Sequence, residues 1–190
     1  PTVISQRVDA EVVTVSVYDY TPELLEEKKS DKVESVFHYK NTPSISWINI
    51  DGIRKSDVEA ACTNYGIHPL IIEDILSVDQ RPKMDEVEGV LYCLLNMLYF
   101  NEEKKTVETE QISMVLGSNF VISFQEDPSR DVFDPIRHRL KIPKSQLRQR
   151  TADYLLYSMI DLVVDSYFLI MERLGEQIEA LEEEVVRKSN

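Results

Sequence analysis

Residues 146–188 contain no proline and a single glycine, Gly175, and this absence limits the fold more than any other feature. Proline breaks helices and glycine weakens them, so such a stretch favours one continuous helix. A helix from Thr151 to Lys188 would be about 57 Å long at 1.5 Å per residue. A compact chain of this length has a radius of gyration of only about 16 Å. We therefore expect the helix to extend beyond the body on which it begins.

The second half of this stretch carries an apolar stripe. Its members recur at spacings of four, four, three and four residues: Ile170, Leu174, Ile178, Leu181 and Val185. This spacing places the side chains on one face of a helix, as in a coiled coil. We expect either another helix or another copy of the chain to cover that face.

The hydrophobic pattern before residue 146 indicates strands interleaved with short helices. The predicted strands are 13–17, 45–50, 89–100, 107–116 and 119–125. The predicted helices are a short one opened by Thr21-Pro22, then 56–65, 70–76 and 131–140. This order predicts an α/β fold, an α/β/α sandwich with a mixed, partly antiparallel sheet, followed by a long C-terminal stalk helix. We place the sandwich at 1–145 and the start of the stalk at 146–190.

Local signals define the boundaries of some of these elements. The turn pair Asp51-Gly52 ends the strand at 45–50. Ser56 and Glu59 have the spacing of a capping box, and Gly66 is a typical helix stop.

Acidic residues outnumber basic ones by 34 to 21, a formal net charge of −13. This balance argues against a general nucleic-acid binder and against docking on an anionic membrane surface. It suits a protein that meets cations, or one whose surface is well solvated. Two cysteines are too few for a disulfide framework or a four-cysteine zinc site. There is no run of 18 apolar residues, so we expect nothing within this chain to span a bilayer.

Two pairs of carboxylates lie in otherwise apolar helical segments: Glu73 with Asp74, and Asp161 with Asp165. The second pair is four residues apart, so both acids share a helix face and repel each other. A desolvated carboxylate must be paired, protonated or bound to a cation. Oxygen ligands select hard cations such as Mg²⁺ or Ca²⁺, so a cation site is one hypothesis.

Other interpretations of these acids are open. Glu73 and Asp74 could interact with the positive end of a helix dipole. Asp161 and Asp165 could form a solvated stripe, or could pair with basic residues such as Arg137, Arg148 or Lys144. Paired carboxylates also serve glycosidases, but nothing in the sequence suggests a sugar-stacking cleft. Dinucleotide, Walker and nucleophile-elbow motifs are absent, and we predict that the protein is not an enzyme.

Six short segments form an ordered series of motifs. They are Trp47-Ile48-Asn49-Ile50, Gly66-Ile67-His68-Pro69-Leu70, Glu73-Asp74-Ile75-Leu76, Gln80-Arg81-Pro82-Lys83, Val132-Phe133-Asp134-Pro135, and Asp153-Tyr154-Leu155-Leu156-Tyr157-Ser158 leading to Ile160-Asp161. Each motif has little specificity alone, but in their order and spacing the six together resemble the CorA family of divalent-cation transport proteins. The resemblance covers the chain from about residue 12 to its end.

The resemblance implies the amino-terminal domain of a membrane protein that transports Mg²⁺ or Co²⁺, located on the cytoplasmic side of the cell membrane. It implies a homopentamer whose transmembrane helices and pore lie beyond Asn190. It also implies that divalent cations, Mg²⁺ first and Co²⁺ or others as alternatives, bind between subunits and stabilise a closed state. The same domain of a Zn²⁺ or Ni²⁺ transporter, or a purely structural assembly module, are the alternatives.

The resemblance also assigns roles to individual acids. Asp74 matches the principal regulatory metal ligand, which faces an aspartate of a neighbouring stalk helix at a position beyond Asn190. Glu73 and Asp161 match ligands of a second, adjacent regulatory site. Asp165 is a candidate by proximity alone.

Overall fold

The computed structural model describes residues 7–188, and within that range seven strands form one mixed sheet. The strands are β1 (Thr14–Tyr20), β2 (Leu25–Ser30), β3 (Ile45–Asp51), β4 (Lys83–Val87), β5 (Val90–Asn101), β6 (Thr106–Leu116) and β7 (Phe120–Gln125). Their order across the sheet is β2-β1-β3-β7-β6-β5-β4. All five predicted strands are therefore confirmed, and two more are added.

In the described sheet, β3 and β7 are parallel and all the other neighbours are antiparallel. Asp51 pairs with Gln125 in the parallel register. Parallel strands end at the same edge of a sheet, so these two polar residues lie side by side there.

One face of the sheet is covered by short helices. They are α1 (Lys55–Tyr65), α2 (Pro69–Leu76) and a 3-10 helix (Val33–Asn41). Side chains alternate between the two faces of a strand, and Ile48 and Ile50 of β3 point to this side. They are fully buried in one cluster with Ile71 and Ile75 of α2, which fixes α2 on the sheet.

The opposite face is covered by two further helices, α3 (Asp134–Lys141) and α4 (Ala152–Lys188). Trp47 of β3 points to this side and is fully buried. Its ring packs edge-on against Phe133, with 5.8 Å between the ring centroids. Helices therefore lie on both faces of a mixed sheet, and the predicted α/β/α sandwich with a long C-terminal helix is confirmed.

The short helix predicted at Thr21-Pro22 is wrong, because this segment is a turn that leads into β2. Thr21 Oγ1 accepts hydrogen bonds from the amides of Glu23 and Leu24, at 3.3 and 3.1 Å. Strand β2 then pairs antiparallel with β1 along six residues. Sheet pairing overrides the helix propensity of its Glu-Glu-Lys-Lys run.

The predicted capping box is also wrong, although the helix itself is confirmed. Helix α1 begins before Ser56, with Arg54 at the N-cap position and no side-chain cap of its own. The amide of Lys55 instead donates to Asp9 Oδ1 at 2.8 Å. A residue remote in sequence therefore takes the role that the local motif would have had. Gly66 ends the helix in a left-handed conformation, as predicted.

The edge strand β4 is the second addition to the predicted sheet. It pairs antiparallel with β5, and the register places Lys83 opposite Leu94. Its residues are Lys-Met-Asp-Glu-Val, and most are exposed. Such a polar sequence lacks the apolar alternation that identifies a half-buried strand.

Helix α4 begins one residue after the predicted start and runs for 37 residues, about 56 Å at 1.5 Å per residue. Its buried side chains end at Ile170. Beyond that point the stripe is exposed, with Leu174, Ile178 and Leu181 at 38%, 57% and 60%. The first half of the helix is thus a core element, and the second half presents an apolar face.

By length and composition alone α4 is apolar enough to cross a membrane, a result that the sequence analysis did not anticipate. However, 33% of its most apolar window is buried inside the fold, and the helix packs on β5, β6 and β7. A core helix passes the same test, so this is weak support for a membrane span. The division of the chain near residue 145 stays a prediction.

Candidate metal centre

Helix α2 positions the first pair of carboxylates. His68 forms its N-cap by accepting a hydrogen bond from the amide of Leu70 through Nδ1, at 3.2 Å, and Pro69 follows at the first helical position. The helix ends at Ser77, whose amide and hydroxyl both donate to the carbonyl oxygen of Glu73, at 2.9 and 2.7 Å. With two isoleucines buried against the sheet, the helix holds its acids in a fixed place.

The helix-dipole interpretation of these acids is wrong. Helix α2 has only eight residues, and Glu73 and Asp74 lie in its last turn rather than its first. That end of a helix carries the partial negative charge, which disfavours carboxylates. The two acids therefore need a positive charge from elsewhere.

Lys83 supplies such a charge to Asp74. Its ammonium Nζ lies 2.7 Å from Asp74 Oδ2, while the two side chains remain 33% and 27% exposed. The same Nζ is 3.8 Å from Asp85 Oδ2 on β4. The ion pair joins α2 to the edge strand β4, so it is the position of β4 that brings the Lys83 ammonium to Asp74.

The backbone of Asp74 is held as firmly as its side chain. Its carbonyl oxygen accepts hydrogen bonds from Gln80 Nε2 at 2.8 Å and from Gln111 Nε2 at 3.5 Å. The Gln111 amide also donates to the carbonyl of Ser77 at 3.1 Å. These hydrogen bonds connect the end of α2 to the loop before β4 and to β6. They thereby fix the position of the backbone from which the Asp74 carboxylate extends.

Glu73 points away from this ion pair. Its side chain is exposed and lines an open groove of about 800 Å³ beside α1. The groove also has Arg7, Asp9, Lys55 and Glu59 on its walls. Among the described residues, Glu73 forms no ion pair, so its carboxylate remains available.

The second pair of predicted ligands lies on the other side of the sheet. Asp161 and Asp165 are exposed on α4, which packs on the face opposite to α2. Within residues 7–188 neither carboxylate forms an ion pair. The predicted pairing with basic residues is therefore not seen: Arg137 binds Asp131 and Asp134, and Arg148 donates to backbone carbonyls. Their interpretation as a solvated stripe agrees with this exposure.

A single chain therefore does not assemble the predicted site. The sheet separates Glu73 and Asp74 from Asp161 and Asp165, and the described part of the chain contains no group of three or more His, Cys, Asp or Glu residues placed to hold a metal. The donor chemistry nevertheless suits a hard cation, because every candidate ligand is a carboxylate oxygen. In the single chain Asp74 is paired with a cationic group of the protein itself, the Lys83 ammonium.

Sequence reasoning did not identify the role of Lys83. The residue stood in the segment Gln80-Arg81-Pro82-Lys83, which contributed only to the family resemblance. A lysine nine residues after an aspartate carries no pairing signal, because the contact depends on β4 folding back beside α2. Gln111, thirty-seven residues from Asp74, was missed for the same reason.

Comparisons with known proteins identify the family. A family model described as CorA-like Mg²⁺ transporter protein matches residues 43–190, so the chain belongs to this family. The cobalt/magnesium transport protein CorA of Thermotoga maritima is 41% identical over 175 residues, which are 92% of this chain and 50% of that protein. The chain thus spans about half the length of this curated relative.

Solved structures share the fold at low sequence identity. The soluble domain of CorA from Methanocaldococcus jannaschii matches with a TM-score of 0.66 at 16% identity, covering 95% of this chain and 66% of that one. The ZntB cytoplasmic domain from Vibrio parahaemolyticus matches with a TM-score of 0.60 at 13% identity, covering 89% and 65%. At these identities the two likenesses bear on the fold alone.

Proposed function

We propose that this chain is the cytoplasmic, Mg²⁺-sensing domain of a membrane protein that transports Mg²⁺ and Co²⁺, and that it has no catalytic role. The observation that carries the proposal is Asp74, a partly exposed carboxylate at the negative end of a short helix, already occupied by the ammonium of Lys83. Membership of a transporter family and 41% identity to a cobalt/magnesium transport protein support the choice of cation.

The placement of the acids supports a site between subunits. Because α2 and α4 cover opposite faces of the sheet, Glu73 and Asp74 of one copy can meet Asp161 and Asp165 only on another copy. A contact between two different faces is heterologous, and heterologous contacts form a ring when the rotation between neighbouring copies closes. This agrees with a homopentamer, in which every interface would bring one α2 face against one α4 face.

Charge repulsion then supplies the switch. Carboxylates facing each other across such an interface repel, in a chain that already carries a formal net charge of −13. A divalent cation bound there would neutralise them and favour the closed arrangement. When the cytosolic concentration of Mg²⁺ falls, Asp74 and its neighbours push the subunits apart, and α4 passes the change toward the membrane. The free energy by which Mg²⁺ can shift the equilibrium between the closed and separated arrangements is limited to the difference in its binding free energy to the two.

Asp74→Asn in the complete protein tests this proposal. The variant keeps the size of the side chain and removes its charge, so we expect Mg²⁺-dependent protection from proteolysis to need about tenfold more Mg²⁺, equivalent to about 1.4 kcal/mol. The control is Asp79→Asn, because Asp79 is exposed and its φ of 59° is one that asparagine also adopts. If Asp74→Asn retains wild-type protection at every Mg²⁺ concentration, Asp74 is not a regulatory ligand.

A role in assembly has support of its own from the exposed stripe on α4. Three aliphatic side chains, Leu174, Ile178 and Leu181, lie 38–60% exposed in line along the helix. Exposed apolar surface of this kind marks an interaction site. We expect the chain to self-associate in sedimentation experiments, and Ile178→Glu to weaken the association at least tenfold.

Leu24→Glu is the matched control for this experiment. Leu24 is 73% exposed in the turn before β2, on a different element from the stripe. We expect this variant to associate like the wild type. A wild-type chain that stays monomeric at millimolar concentration would argue against assembly through the stripe.

A further inference from the structure

We propose that Lys83 competes with the divalent cation for Asp74 and so sets the Mg²⁺ concentration at which the domain responds. The inference rests on the proposed function, because it assumes that Asp74 is a regulatory ligand. The inference adds one residue to the proposed regulation, namely Lys83, whose side chain is itself positively charged.

The Lys83 ammonium lies on the Asp74 carboxylate, so a divalent cation that binds this carboxylate must displace it. Lys83 Nζ lies 2.7 Å from Asp74 Oδ2, which is a close ion pair between opposite charges. Lys83 is the first residue of β4, whereas Asp74 belongs to α2, so two separate elements hold the pair together. A second cation on the same carboxylate would meet a positive charge within a few ångströms and would be repelled.

The surroundings of Lys83 give the displaced ammonium another position. Asp85 Oδ2 lies 3.8 Å from the same Nζ, two residues along β4 on the same strand face. The ring of Tyr92 lies beneath the ammonium, 5.9 Å from Nζ to its centroid. Lys83 can therefore turn from Asp74 toward Asp85 while it stays over the aromatic ring, without a change in the backbone.

This arrangement weakens the affinity for a divalent cation without abolishing it. An ion pair between partly exposed side chains is worth a fraction of a kilocalorie per mole to about 1 kcal/mol, which corresponds to at most about fivefold in a binding constant. Competition of that size suits a sensor of an abundant ion, because such a sensor must release the ion readily.

Lys83→Met tests the competition in the complete protein, titrated with Mg²⁺ and probed by proteinase K protection and by melting temperature. The variant keeps the aliphatic stem and removes the charge. We expect half-protection at a two- to fivefold lower Mg²⁺ concentration than in the wild type. Lys83→Arg keeps the positive charge, so its midpoint should equal or exceed that of the wild type.

Lys141→Met is the matched control for the loss of one positive charge. Lys141 pairs with Glu27 at 3.5 Å, is 54% exposed, and lies on α3 across the sheet from Asp74. Its Mg²⁺ midpoint should stay that of the wild type. In an Asp74→Asn background, Lys83→Met should no longer shift the midpoint, because the shared carboxylate is gone.

Asp85→Asn gives an independent measurement with the opposite sign. It removes the second partner of Lys83, so the ammonium should stay on Asp74 and the Mg²⁺ midpoint should rise about twofold. Unchanged midpoints in both Lys83→Met and Asp85→Asn, in a protein whose protection depends on Asp74, would overturn the role of Lys83 and leave the sensor intact. If Asp74→Asn shows the same Mg²⁺-dependent protection as the wild type, both proposals are overturned.

Discussion

Gly52→Ala should destabilise the protein by about 3 kcal/mol or more, enough to threaten its folding. Gly52 directly follows β3 with φ of +87°, a conformation that costs an L-residue about 1–2 kcal/mol. A Cβ atom there would lie 2.3 Å from the carbonyl oxygen of Val12, which is backbone and cannot rotate away. The Gly52 amide also donates to the carbonyl of Gln125 at 2.9 Å, so a shift would pull on β7 as well.

Gly89→Ala separates the two causes of this effect. Gly89 has a similar φ of +78°, but a Cβ atom there would meet nothing within 4 Å. We expect only the conformational cost of about 1–2 kcal/mol, measured as the free energy of unfolding in urea. If the two variants lose the same stability, the contact with Val12 is relieved at no cost and our account of Gly52 is wrong.

The sequence predicted the parts of this fold that depend on local pattern. The absence of proline over 146–188 identified α4 to within one residue of its start, and Asp51-Gly52 correctly ended β3. The predictions failed where a residue distant in sequence determines the local structure. Asp9 replaces the capping box at the start of α1, and pairing with β1 turns the segment after Thr21 into a strand.

The candidate site divides in the same way. Glu73 and Asp74 were recognisable as acids in an apolar helical segment, and the resemblance assigned them roles that remain predictions. Their place in the last turn of α2 followed from the predicted helix 70–76, and the helix-dipole interpretation conflicted with that placement. The pairing of Asp74 with Lys83 required β4, whose polar sequence gives no strand signal. Neither local pattern nor a single chain brings the acids of α2 to those of α4.

Asp51→Asn should reverse its effect on stability between about pH 3 and about pH 7, because Asp51 is a buried carboxylate at the parallel strand ends. Burial, reinforced by the charge of Asp131, raises the pKa of Asp51 to about 6. Asn49 opposes this by donating from Nδ2 to both carboxylate oxygens at 3.0 Å. A buried chain of hydrogen bonds continues from Asn49 through Ser123 to Trp47.

The sign follows from comparing the folded and unfolded states. Well below pH 3.8, the ordinary pKa of an aspartate, the Asp51 carboxyl is protonated in both states, so it contributes no pH dependence. As the pH rises to about 6 the unfolded chain loses this proton while the folded protein retains it, so stability falls. Above the folded pKa of about 6 the loss is complete, and a pKa raised from 3.8 to about 6 corresponds to about 3 kcal/mol.

Asparagine cannot ionise, so the variant escapes this loss but gives up a hydrogen bond worth about 1 kcal/mol. We expect Asp51→Asn to be about 1 kcal/mol less stable than the wild type at about pH 3 and about 2 kcal/mol more stable at about pH 7, measured by urea unfolding. The new amide lies beside Gln125, whose buried Oε1 and Nε2 have no hydrogen-bond partner among the described residues and could accept from it or donate to it.

The guanidinium of Arg137 acts on Asp51 by lowering its pKa, and it also pairs with Asp134, so Asp134→Asn controls for the loss of a negative charge near that group. The Asp134 side chain is 76% exposed and contacts Arg137, which also lies 5.1 Å from the ring of Trp47. Removing an exposed carboxylate should not produce the crossover, because no buried charge is relieved. If both variants differ from the wild type by the same amount at every pH, total charge governs the profile. The buried position of Asp51 would then have no separate effect on stability.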